Sequence, residues 1–135
     1  MKIAEGEGSE MNDGKGILKD AWDSREGPVV LTTVDEKVVP NAIYATSVKL
    51  LDDGRIVVAD NYFNKTRANI KRGSMGSVLF LTKERKAYQA KGSIEYLIEG
   101  SIYEDMRQWV DPKHPRIAAA VLHVDELYSG AEKLI

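Results

Sequence analysis

The chain has 135 residues, a net charge of −2, 43% hydrophobic residues and 30% charged ones, which describes one ordinary globular domain with enough chain for a core. The absence of cysteine excludes disulfides, thiolate nucleophiles and cysteine-ligated metals, and fits a reducing cytoplasm. The slightly acidic balance gives no general pull toward nucleic acid or an anionic membrane, and no apolar run approaches the roughly 18 residues that cross a bilayer.

At the N-terminus, "MKIAEGEGSEMNDGKG" lacks the apolar centre of a signal peptide, and its Gly, Glu and Ser content predicts a disordered leader over residues 1–11. A single domain is expected over 12–135. "GKGILKDAWDSREG" places Ile17, Leu18, Ala21 and Trp22 on the stripe of a helix that Gly27 would stop. "PVVLTTV" is a β-branched strand. "DEK" turns the chain into "VVPNAIYATSVKLL", read as one long second strand. On it Val38, Ala42, Tyr44, Thr46, Val48 and Leu50 share one face, and Asn41, Ile43, Ala45, Ser47 and Lys49 the other.

Asp53-Gly54 signals a tight hairpin before "RIVVAD". "NYFNKTRANIKRG" reads as a short helix capped by Asn64 and ending near Gly73. "GSVLFLT" is a buried strand, and "KERK" turns into "AYQAKGSIEYLI", the clearest alternation in the chain. There Tyr88, Ala90, Ile94, Tyr96 and Ile98 oppose Gln89, Lys91, Ser93 and Glu95. "GSIYEDMRQWVDPKH" predicts a helix with a capping box of Ser101 and Glu104, and Asp105 adds charge to its first turn. "RIAAAVLHVDEL" is alanine-rich, but Val121, Val124 and the flanking Pro115 favour a final strand. The sum is a mainly β domain. Six antiparallel strands curl into a small barrel, with two or three short α-helices.

Few residues advertise chemistry. His114, between two prolines, reads as a solvated loop histidine, and His123 as a packed or edge residue; two isolated histidines do not make a zinc site. "GSMGS" precedes a strand and reads as a turn, and no GxSxG, HExxH or Walker pattern occurs. An enzyme of this composition would rely on a bound cofactor. Small residues such as Ala45 and Ser47 leave room for a flat ring, although an ordinary half-exposed strand has the same pattern. The helix at Asn64 is unusual. Its first turn carries Lys65 and Arg67 and no acid, against a dipole preference of roughly 0.3–1 kcal/mol per charge. Either this is a solvated surface helix, or Lys65, the Thr66 hydroxyl and the free N–H groups hold a phosphate.

Taken in order, "VVLTTV…VVPNAIYATSVKLLDDGRIVVADNYFNKTRANIKRG…SVLFLT…YQAKGSIEYL…AAAVLHVDELY" resembles the pyridoxamine phosphate oxidase-like FMN-binding split-barrel proteins, in particular their small single-domain members. The likeness runs from about Pro28 to Tyr128. It implies a split β-barrel of Greek-key type with FMN in a groove at a homodimer interface. It also implies Lys65 and Thr66 as the phosphate pair, with Asn64 at the adjoining cap. Ala42, Ile43, Tyr44, Ala45 and Thr46 would run beside the ribityl chain and ring, and Ala59, Asp60 and Asn61 would line the flavin. Gln89 and Lys91 would reach the partner's flavin.

The implied activity is that of a cytoplasmic flavoprotein oxidoreductase. It would pass hydride or electrons from a reduced donor, such as NAD(P)H, to a small acceptor, without a metal. The alternatives are a non-catalytic FMN-binding electron carrier, and a related split barrel holding a deazaflavin coenzyme or haem. A nucleic-acid-binding barrel is disfavoured by the acidic balance. The chain ends "YSGAEKLI" without the arginine-containing segment of true pyridoxamine phosphate oxidases. Its second strand also lacks the arginine and lysine those enzymes set against FMN. That specific activity is therefore not expected.

Overall fold

The computed structural model describes residues 14–135; the leader expected over residues 1–11 lies outside them. Helix α1 (residues 14–23) buries Leu18, Ala21 and Trp22, with Ile17 at 37% exposure on its flank. Gly27 is not its stop. Strand β1 (Arg25–Val34) already starts two residues earlier, and Gly27, at φ 79°, sits where the β1 register slips between Glu26 and Val30.

The remaining strands are β2 (Pro40–Ala45), β3 (Val48–Leu50), β4 (Ile56–Asp60), β5 (Met75–Thr82), β6 (Ala87–Leu97), β7 (Ala118–Leu122), β8 (Glu126–Ser129) and β9 (Glu132–Lys133). Helices α2 (Lys65–Lys71) and α3 (Ser101–Trp109) complete the described residues. There are nine strands here rather than the six expected, because two predicted strands are broken and a short C-terminal one follows. The long second strand breaks at Thr46–Ser47, and the final segment breaks after Leu122 into β7 and β8. The first break also exchanges faces. Val48 and Leu50 pack toward the same core as Ile43 and Ala45, whereas unbroken alternation would have placed them on opposite sides.

All ladders are antiparallel, in the order β2-β1-β5-β6-β7-β4-β3, with β8 on the far side of β6. Since β2 and β3 are consecutive in the chain, the two ends of this order lie two residues apart, and the sheet curls into a barrel. No ladder joins β2 to β4 among the described residues; the Ala59 N–H donates to the carbonyl of Ser47, in the break after β2, at 2.9 Å. The barrel is split there. On the other side β6 serves both halves. Its first part pairs with β5 and β8, and Ile94–Leu97 pair with β7.

The main core lies inside the barrel, built from Leu31, Ile56, Val58, Val78, Phe80, Leu122 and Leu127, with Trp22 edge-on to Phe80 at 5.2 Å. A second cluster lies outside it, where Val57, Ala59, Ala119 and Val121 meet Met106 and Val110 at α3. Strands β4 and β7 are thus buried on both faces, and this explains why an alanine-rich segment forms a strand: its small side chains admit α3. Helix α3 is capped by Gly100 at φ 96°, whose carbonyl accepts the Glu104 N–H at 2.9 Å. Ser101 is the first helical residue, so the expected capping box does not form. Ile98 lies past the end of β6 and is 65% exposed. No helix among the described residues is long and apolar enough to cross a membrane.

Candidate binding cleft

The split in the barrel opens into a cleft of about 480 Å³, within the roughly 300–1,000 Å³ of small-molecule sites. One wall is β2 with its break: Asn41, Ile43, Tyr44, Ala45, Thr46 and Ser47. The opposite wall is the end of β4 and the loop after it, with Ala59, Asn61, Tyr62, Phe63 and Asn64. Lys65 and Thr66 open α2 at one end, and His114 comes from the loop after α3.

Hydrogen bonds fix these walls. Asn41 Nδ2 donates to Thr66 Oγ1 at 3.1 Å, joining β2 to α2. Asn61 accepts the Arg116 N–H on Oδ1 at 3.1 Å and donates from Nδ2 to Ser47 Oγ at 3.3 Å, so one amide holds the β2–β3 break against the α3–β7 loop. The Tyr62 hydroxyl lies 3.3 Å from His114 Nδ1, and the two rings meet edge to face. Lys65 is exposed and has no ion-pair partner among the described residues. The cleft therefore ends in an uncompensated positive charge.

Residues 19–129 match the family described as pyridoxamine 5'-phosphate oxidase. An uncharacterized protein of Methanocaldococcus jannaschii is 30% identical over 106 residues, which is 75% of this chain and 71% of that one. The chain belongs to the pyridoxamine 5'-phosphate oxidase family. Among solved structures, HupZ of Group A Streptococcus is 27% identical with a TM-score of 0.72, over 84% of this chain and 91% of that one. An FMN-binding protein of Syntrophomonas wolfei shares the fold at 17% identity and a TM-score of 0.70, over 96% of this chain and 92% of that one. The resemblance read from the ordered segments is borne out, and so is the split barrel.

Of the positions matched to the pyridoxamine 5'-phosphate oxidase family by resemblance, nine line the cleft: Ile43, Tyr44, Ala45, Thr46, Ala59, Asn61, Asn64, Lys65 and Thr66. Four do not. Ala42 faces outward on β2. Gln89 and Lys91 stand on the outer face of β6, paired in register with Tyr128 and Glu126 of β8. Asp60 is fully buried beneath the cleft. Its carboxylate takes Arg67 Nε at 2.7 Å and Nη2 at 2.9 Å, the Tyr96 hydroxyl at 2.5 Å and the Phe63 N–H at 3.0 Å. Burial, and then the hydrogen bond to Asp60, push the Tyr96 hydroxyl up to about 12. The hydrogen bond to Asp60 raises Arg67 in turn.

This network separates the two first-turn cations of α2. Arg67 turns inward to Asp60, and Lys65 alone is left. The Asn64 side chain makes no capping bond; its carbonyl accepts the Ala68 N–H at 3.1 Å.

The cleft also gathers residues that the resemblance did not supply: Asn41, Ser47, Tyr62, Phe63 and His114. Asn41 shares an alternation face with Ile43 and Ala45, so that pattern pointed to it. His114 is half-buried against a residue 52 positions away. It keeps the loop position its prolines suggested but rests against Tyr62 at the cleft, a contact no local signal marks.

Proposed function

We propose that this protein binds FMN in the cleft and works as a flavin-dependent oxidoreductase. The observation that carries the reading is Lys65, an unpaired cation beside the Thr66 hydroxyl at one end of a cleft whose far walls are small. A phosphate answers the charge at Lys65 through charge-assisted hydrogen bonds. Ala45, Thr46, Ser47 and Ala59 leave a flat ring close access to backbone. Bound FMN supplies hydride or electron transfer between a reduced donor, such as NAD(P)H, and a small acceptor. The chain's own part is to hold the phosphate, shelter the ring and position it.

The same reading takes a homodimer. Tyr44, Val30, Leu79, Gln89 and Tyr128 are successive register partners across β2, β1, β5, β6 and β8, and form one row on the outer face of the sheet. Tyr44 is 79% exposed and Leu79 38% exposed, and Tyr44 is also the rim of the cleft. A second copy seated on this row by two-fold symmetry brings its Gln89 and Lys91 toward the first copy's cleft.

The visible spectrum of the purified protein tests the cofactor. The expected result is oxidised flavin that is released on denaturation. A haem or deazaflavin spectrum overturns FMN while keeping the fold.

A further inference from the structure

Among the described residues, the titratable side chains that line the cleft are Tyr44, Tyr62, Lys65 and His114. Phenols and ammonium groups ordinarily keep their protons to about pH 10, so the imidazole is the one whose charge changes near neutrality. The loop between α3 and β7 is built to hold it there. The His114 N–H donates to the Asp111 carbonyl at 3.0 Å, and the Lys113 N–H to Asp111 Oδ1 at 2.9 Å. Further on, the Arg116 N–H donates to Asn61 Oδ1 at 3.1 Å, and the Ile117 N–H to the Asp60 carbonyl at 2.8 Å. Arg116 Nη1 donates to the Arg107 carbonyl at 2.9 Å. These bonds hold Arg116 at φ 50°, a conformation that residues other than glycine seldom adopt.

The ring itself is fixed at one nitrogen. Nδ1 lies 3.3 Å from the Tyr62 hydroxyl, and Nε2 has no hydrogen-bond partner among the described residues. A phenol hydroxyl both donates and accepts, so Tyr62 serves either charge state of the imidazole. It donates to Nδ1 of the neutral ring and accepts from Nδ1–H of the charged one. In both states Nε2–H is left for a ligand.

We propose that His114 touches the flavin held in the cleft and takes up a proton when that flavin is reduced. This rests on the flavin reading of the cleft. Hydride transfer brings two electrons and one proton to a neutral ring, and so adds one negative charge to the cleft. His114 answers that charge by taking one proton from water at Nδ1, where the Tyr62 hydroxyl turns from donor to acceptor. Lys65 does not answer it, being engaged by the phosphate. Asp60, beneath the cleft, is paired with Arg67. Of the other charged groups around the imidazole, Asp111 favours the charged ring, and Lys113, Arg116 and Arg107 oppose it. A negative charge arriving in the cleft tips this balance toward imidazolium.

The chain has two histidines, so NMR of the FMN-loaded full chain, labelled at histidine, reads His114 directly. His114→Gln assigns its signal, and His123, bonded to Glu95 outside the cleft, is the internal reference. Titrations compare the oxidised protein with protein reduced by excess dithionite. On reduction the pH midpoint of the His114 signal is expected to rise by about one pH unit or more, a tenfold gain in proton affinity, while that of His123 stays. Tyr62→Phe, which removes the hydroxyl that accepts from Nδ1–H, should shrink the rise. Between the two midpoints the reduction equilibrium, read against a reference dye, should change about tenfold more per pH unit in wild type than in His114→Gln. A His114 midpoint unmoved by reduction, or a rise shared by His123, overturns the inference and leaves the flavin site standing. So does a His114→Gln protein whose pH response matches wild type. A protein that holds no flavin overturns the cleft reading itself, and this inference with it.

Discussion

A cation in the first turn of a helix is answered by something negative or it costs stability, and α2 carries two cations with two different answers. Arg67 is answered from below by Asp60, in a bidentate pair that also takes the Tyr96 hydroxyl. Lys65 points into the cleft without a partner. The sequence displays both cations and the missing acid, so Lys65 is legible as a candidate site residue. Arg67 was not separable from it, because its partners come from the end of β4 and from Tyr96, 29 residues further on.

The Asp60 network predicts a pH dependence. The Tyr96 hydroxyl titrates at about 12 in the folded protein against 10.0 ordinarily, so the folded state holds that proton more tightly than the unfolded one. Its contribution is complete below pH 10 and is lost as pH rises through 12. Urea denaturation across that window should show stability falling with pH. In Tyr96→Phe the part of the fall due to this proton should vanish. An unchanged slope in the variant would contradict the account.

At the scale of elements, the two halves of the barrel are joined at points where a strand changes partners. In β6 that point is Gly92, and a Cβ there would lie 1.6 Å from the His123 carbonyl oxygen. The backbone at His123 donates to the Ser93 carbonyl at 2.8 Å, and the Asp125 N–H donates to the Lys91 carbonyl at 2.9 Å, so this oxygen has no room to retreat. Gly92→Ala should therefore cost more than about 2 kcal/mol of stability, read as a lowered urea midpoint. A midpoint within error of wild type would mean the crossing is slack.

The alternation of β6 was plain in the sequence because one of its faces meets a single continuous core. The Thr46–Ser47 break was not plain. Both halves of that segment favour strand, and what divides them is a tertiary event, the Ala59 N–H taking the Ser47 carbonyl. That same break forms a wall of the cleft, so the least legible element is also part of the candidate site. The β7–β8 break has a similar reason, since β7 pairs with β4 and with Ile94–Leu97 of β6, whereas β8 pairs with Tyr88–Lys91 of β6.

For the whole molecule, the proposed homodimer seats a second copy on the sheet row that begins at Tyr44, on the rim of the cleft. Light scattering of the flavin-bound protein at micromolar concentration should give a dimer. Leu79→Glu, at the centre of the row, should shift it to monomer and weaken flavin binding together. A wild-type monomer that still holds flavin would contradict the arrangement. The central claim, however, is the phosphate end of the cleft, and the measurement that tests it most directly is the affinity of the protein for FMN against riboflavin by fluorescence quenching. Charge-assisted hydrogen bonds contribute about 1.5–3 kcal/mol each. FMN should therefore bind at least tenfold tighter, on the order expected for one such bond. Lys65→Glu should erase the difference, while Lys113→Glu, in the exposed loop, should leave it intact. Equal affinity for FMN and riboflavin in the wild-type protein would contradict the account.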